Sequence, residues 1–184
     1  MHFKAEEKEN PGDIMKKLIS FTKLSPAIMI VMVFMSAHVQ AKTFPTFPVQ
    51  ENYTGAPAQP KFSNLNGTNL FKSEITKEMR AGVNFAGKYT WVEIGCGSSC
   101  VNAYAVNRKT GNIIKFPLGG EKNYQLMMDY KKDSRLVKAV WTDDEAPSDK
   151  LCVIDFYDML DDRFLMVQHN RKPAQDGYCD SYMD

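Results

Sequence analysis

Between Lys88 and His169 the chain carries seven apolar segments of strand length, separated by short polar turns. That spacing constrains the fold more than any other feature. "KYTWVEI" and "VNAYAV" flank "GCGSSC", and "RKTGN" leads into "IIKF" with a glycine where a tight hairpin needs a left-handed residue. "YQLMMDY" and "RLVKAVW" flank "KKDS", while "LCVIDFYDML" and "RFLMVQH" flank "DD". Connections this short cannot hold a crossover helix, so neighbouring strands must run antiparallel. Ahead of them, "NLFKSEITKEMRAG" repeats Phe71, Ile75 and Met79 at helical spacing and ends on Gly82, a residue suited to a helix C-terminus. The expected class is α+β: an antiparallel β-meander of about seven strands with one N-terminal helix packed on it.

The N-terminus reads as an address. From Met15, Lys16, Lys17 and Lys23 precede the eleven-residue apolar run "AIMIVMVFMSA", and Val39 and Ala41 put small side chains at a cleavage site. Residues 15–41 are therefore expected to be a signal peptide cut after Ala41. The run is shorter than the roughly 20 apolar residues of a membrane span. Residues 1–14 carry their acidic side chains ahead of the positive region, the wrong order for such a signal, and translation is expected to begin at Met15. Residues 42–61 hold four prolines and no apolar period. They form either a lead-in laid along the domain by Phe44, Phe47 and Tyr53 or a disordered tether. A single domain is expected over 62–184.

Removing 41 of the 184 residues leaves 143, enough for one domain with a core. It removes five of the 23 basic residues and four of the 22 acidic ones, leaving 18 of each. So balanced a charge gives no reason to expect nucleic-acid binding, which rests on clustered Lys and Arg, and nothing after residue 41 reads as a membrane span. All four cysteines lie in the mature part, and an even number in an exported chain favours disulfides over reactive thiols. Three connectivities are open. The preferred one pairs Cys96 with Cys100 across a three-residue loop, Gly97-Ser98-Ser99, and Cys152 with Cys179.

Other chemistries fit less well. A cysteine nucleophile needs a base, and once the leader is gone His169 is the only histidine. A thiol or hydrolytic enzyme built on Cys96 or Cys100 with His169, oriented by Asp155 or Asn170, is the alternative reading. "GCGSS" is not a serine-hydrolase elbow, and zinc would need two close ligand pairs where only one exists. "WTDDEAPSD" gathers acidic side chains but lacks calcium-loop spacing. No metal or other cofactor is implied.

The run "VNFAGKYTWVEIGCGSSCVNAYAVNRKTGNI", with "YKKDSRLV" further on, resembles a group of small exported bacterial proteins. They share an N-F-A-G-[HK]-Y segment, a G-C-G-x-x-C loop, a T-G hairpin and a D-S-R-L turn. The resemblance covers residues 62–168 and implies kinship and export, with no activity attached. Where the histidine form of the segment has His, this chain has Lys88, so a histidine-dependent activity would be lost here. "NFAG" also explains itself physically: Asn84 to bond backbone at the helix-to-strand handover, Phe85 to anchor in the core, Gly87 to let backbones approach.

The expected function is that of a periplasmic or secreted binding protein of inhibitor or toxin-immunity type, its partner an envelope or toxin protein. Its candidate contacts are Gly97, Ser98 and Ser99 at the tip, with Trp141, Asp143 and Asp144 in the acidic loop, because rigid aromatic anchors dominate interface energy.

Overall fold

Strand β1 (Tyr89–Gly97) is apolar on both faces, and that sets the layers. Tyr89 and Trp91 point one way and Val92 and Ile94 the other, as a period of two requires, so both faces must be covered. The computed structural model describes residues 42–64, 69–143, 145 and 150–183. Residues 1–41, where the early start and the leader are expected, lie outside the described residues, as does Asp144.

With β2 (Cys100–Asn107) and β3 (Ile113–Gly119), β1 forms an antiparallel sheet in the order β1-β2-β3. Strands β4 (Tyr124–Tyr130), β5 (Leu136–Asp143), β6 (Leu151–Leu160) and β7 (Arg163–Pro173) form a second, in the order β4-β5-β6-β7. Chain order is thus spatial order, the expected meander of seven strands in an α+β fold. It is broken once. At Gly119 and Gly120, with φ of 132° and 72°, the chain leaves the line of β3, and the Asn123 side chain accepts the Gly119 amide at 2.8 Å.

The two sheets bury one core between them. Trp91, Ala103, Ala105 and Phe116 come from the first sheet, and Val137, Ala139, Tyr157 and Met159 from the second. Phe116 sits at the centre, its ring 5.2 Å from Trp91 and 5.0 Å from both Tyr157 and Phe164. Burying one such side chain stabilises the fold by about 2–3 kcal/mol.

Helix α1 (Asn69–Ala81) covers the other face of the first sheet. Ile75 and Met79, with Phe71 beside them, pack on Val92, Ile94, Tyr104, Val106 and Ile113. Gly82 (φ 108°) ends the helix. Its last turn is tied down from the sheet: the Arg108 guanidinium donates to the Met79 carbonyl, and Thr90 Oγ1 donates to the Gly82 carbonyl at 2.7 Å. These carbonyls have no partner inside the helix, and the cation also opposes the negative end of its dipole.

Of the two readings left open for residues 42–61, the structure has the lead-in laid along the domain. Backbone bonds fasten it: Arg135 amide to Phe47 carbonyl at 2.9 Å, Tyr53 amide to Gly87 carbonyl at 2.7 Å, and the Ala58 and Lys61 amides to the Arg108 and Gly111 carbonyls at 2.8 Å each. The Ser134 hydroxyl lies within hydrogen-bond reach of two carbonyls of this strap (residues 42–61), Phe44 at 2.9 Å and Phe47 at 3.0 Å. Among the described residues no helix is long and apolar enough to cross a membrane.

Candidate functional site

The tip between β1 and β2 is tighter than its expected form. Gly97 pairs with Cys100 across a two-residue turn, Ser98-Ser99, and Cys96 is the extra residue where the register shifts between Gly95 and Gly97. The three-residue loop with Cys96 squarely opposite Cys100 is therefore corrected to a bulge. Gly97 (φ 138°) and Ser99 (φ 56°) take positive angles around this reversal, and the extra residue of the bulge is Cys96, which bonds Cys100. Their disulfide spans 5.1 Å between Cα atoms.

The second disulfide joins Cys152 on β6 to Cys179 in the C-terminal tail, with Cα atoms 5.5 Å apart. Both cysteines are buried, and with Val140 and Ile154 they form a small core to which Tyr182 and Met183 of the tail add cover. The expected pairing is the observed one, and no free cysteine remains among the described residues.

Between the two bridges lies a cleft of about 410 Å³. Gly97, Ser99 and Cys100 supply one side, Leu126 and Met127 of β4 the middle, and Tyr178 and Cys179 the other side. The Gln125 amide donates to the Ser99 carbonyl at 3.2 Å, tying the tip to β4. Gln125 itself holds φ 54°, and its side-chain oxygen accepts from Thr142 Oγ1 at 3.2 Å. A disulfide stiffens each side, and Tyr178 presents an exposed ring at the rim.

The residues proposed from sequence divide between two places. Gly97 and Ser99 line the cleft, and Ser98 caps the exposed tip. Trp141 and Asp143 line a separate hollow of about 600 Å³ with Lys122 and Tyr124. Thr142 links them, lining the hollow while bonding Gln125 of the cleft. Asp143 pairs with Arg171 at 3.2 Å. The Trp141 indole donates to Asp155 Oδ2 at 3.3 Å, so this ring is half committed to the interior.

His169 stands beside the orienter expected for it. Its Nδ1 lies 2.7 Å from Oδ1 of Asp155, a carboxylate 2 % exposed. Burial and the Asp155 charge push the Tyr157 phenol up to about 12. Cys96 and Cys100, the nucleophiles of the alternative reading, are both held in a disulfide.

At the other end of the sandwich a polar cluster escaped the sequence reading. Asp162 Oδ1 accepts from the Tyr89 hydroxyl at 2.6 Å and from Asn107 Nδ2 at 2.8 Å, and its Oδ2 from Asn112 Nδ2 at 3.1 Å. Burial pushes its carboxyl up, but these three donors and the charge of Lys88 outweigh it and hold the group below its usual value. Burial, with the bond to Asp162, pushes the Tyr89 phenol far up in turn.

The motif segments meet beside that cluster. The Gly87 amide donates to the Lys132 carbonyl at 2.7 Å, the Ala86 amide to Lys131 at 3.2 Å, and the Arg108 amide to Lys88 at 2.9 Å. Asn84 bonds both the amide and the carbonyl of Trp91, at 2.6 and 3.1 Å, and Phe85 is fully buried. N-F-A-G, T-G and D-S-R-L are therefore the junction at which helix, both sheets and strap are fastened together. Comparison with protein-family models, with curated proteins and with solved structures finds no match to this chain.

Proposed function

We propose that this is an exported protein, periplasmic or secreted, that acts by binding a protein partner, in the manner of an inhibitor of an envelope-targeting enzyme or of an immunity protein against a toxin. The observation that carries the reading is the cleft set between two disulfides. Its volume, about 410 Å³, is at the lower end of the range for small-ligand sites and suits an inserted apolar side chain. Walls that are already rigid lose little conformational entropy on binding, which favours affinity. Export is supported by the leader-like residues 15–41, by the two disulfides and by the resemblance to exported proteins.

The test is quantitative capture from envelope and culture supernatant with the oxidised protein, followed by intact-mass analysis of the exported chain. A one-to-one partner is expected, retained by Gly95→Ala and lost by Ser99→Arg, which fills the cleft, together with an exported chain that begins at Lys42. Capture indifferent to Ser99→Arg would remove the cleft from the account.

The enzyme reading keeps one observation in its favour, the Asp155–His169 pair. It requires a reduced Cys96 or Cys100 within reach of that histidine. Turnover of ester or peptide substrates by the reduced protein, abolished in His169→Gln, would establish it in place of binding.

A further inference from the structure

The two disulfides differ sharply in access. Cys152 and Cys179 are 0 % and 3 % exposed, whereas Cys96 is exposed and Cys100 half-buried at the end of a hairpin. Around the buried bridge, Thr142 Oγ1 lies 3.4 Å from Cys179 Sγ and the Tyr178 carbonyl 3.6 Å from Cys152 Sγ. The tip is open: a Cβ built on Gly95 or Gly97 would meet no atom within 4 Å. An incoming thiolate must reach a sulfur to attack it, and here it can do so without local unfolding.

Loop length acts in the same direction. The bridges close separations of 4 and 27 residues, and a short loop gains less from cross-linking. The linkage is reciprocal. A disulfide that adds little to the fold is in turn little protected by the fold.

We infer that Cys96–Cys100 is a thiol–disulfide exchange site, opened by an external dithiol while the domain stays folded, and that its opening loosens one side of the cleft. One thiolate of the dithiol attacks Sγ of Cys96, the more exposed of the two residues. A mixed disulfide forms, and the Cys96–Cys100 bond breaks with its electron pair leaving on Cys100, which takes a proton from water. The second thiolate of the dithiol then attacks its own sulfur in the mixed disulfide and releases Cys96, which is protonated likewise. The protein gains two electrons and the dithiol becomes a disulfide. Ser99, whose carbonyl holds the Gln125 amide at 3.2 Å, lies inside the opened loop, so the tip's tie to β4 weakens.

The experiment treats the oxidised protein with dithiothreitol under native conditions, quenches by alkylation, and maps each cysteine by peptide mass spectrometry. Amide exchange of the peptide containing Gln125 is followed in parallel. Cys96 and Cys100 should become alkylated at least tenfold faster than Cys152 and Cys179, and exchange at Gln125 should rise as they do. The double variant Cys96→Ser/Cys100→Ser should show the fast exchange without reductant. Equal reduction of both bridges, or earlier reduction of Cys152–Cys179, overturns the exchange site. A reduced tip or double variant with exchange at Gln125 unchanged overturns the coupling to the cleft.

Discussion

The Tyr89 hydroxyl lies 2.6 Å from Asp162 Oδ1, a bond that joins the first strand of one sheet to the last hairpin turn of the other across 73 positions. Asp161 and Asp162 form that turn, both at positive φ (49° and 56°), the backbone of a two-residue reversal that matches strand twist. The turn thus aims a carboxylate at Tyr89, Asn107 and Asn112, and one side chain fastens both sheets at this end.

Because the folded Asp162 carboxyl is held below its usual 3.8, the stability it contributes is present above that pH and is lost as pH falls through the folded value. Asp158 runs the other way: burial, opposed by Arg135, lifts its carboxyl, so its contribution improves in acid. The difference between wild type and Asp162→Asn isolates the first effect. Asparagine keeps the left-handed backbone and loses the charge, and the variant should be less stable by about 1–2 kcal/mol at pH 7. Urea melts repeated from pH 7 to pH 2.5 should show that gap closing below pH 4. A gap independent of pH would mean the charge contributes nothing.

Tight packing of the strap over two glycines gives a sharper contrast. Gly87 (φ 71°) and Gly111 (φ 78°) lie under the carbonyl oxygens of Glu51 and Gln59, where any Cβ would collide. Gly95 has open space around it and no positive φ. Alanine at 87 or 111 should cost about 2–3 kcal/mol and make residues 42–61 sensitive to protease, while Gly95→Ala should be neutral within about 0.5 kcal/mol. Limited proteolysis beside thermal melts reads both effects.

Ser134 tests the same strap from the other side. Its hydroxyl meets the carbonyls of Phe44 and Phe47 and accepts the Leu136 amide at 3.2 Å. Removing it in Ser134→Ala leaves a buried amide short of its partner and should cost about 1–2 kcal/mol. Hydrogen exchange should quicken around residues 44–49 and stay unchanged in the helix.

These contacts mark where the sequence was legible and where it was not. The strands, the Gly111 hairpin and the Phe71–Ile75–Met79 helix face follow from period and turn chemistry, which are local; cysteine parity pointed to two disulfides but left three pairings open, of which the structure has the preferred one. The tip register was misjudged because parity of the cysteines says nothing of a bulge, and Gly97's angle appears only once the turn is built. The break into two sheets at Gly119 follows from the core: a sheet apolar on both faces needs a second layer, so the meander folds back on itself. The Asp162 cluster had no local signal at all. Its donors lie 50 to 73 residues away, and "DD" on its own reads only as a turn.

Arg108 shows the same limit in a residue that the turn reading covered for its position alone. Its side chain is 8 % exposed, and it reaches from the end of β2 to the Met79 carbonyl and to Thr90 Oγ1 at 3.2 Å. The buried cation is acceptable there because it meets both a helix-terminal carbonyl and the negative end of the dipole. Methionine would keep the hydrocarbon volume and leave the carbonyl unpaired. Arg108→Met should therefore lose about 2–3 kcal/mol in urea unfolding, a cost consistent with losing a hydrogen bond to a charged group. Amide exchange should quicken in residues 76–81 and hardly at all in β6. Stability within about 0.5 kcal/mol of wild type would instead show that helix packing through Ile75 and Met79 holds the C-terminus by itself.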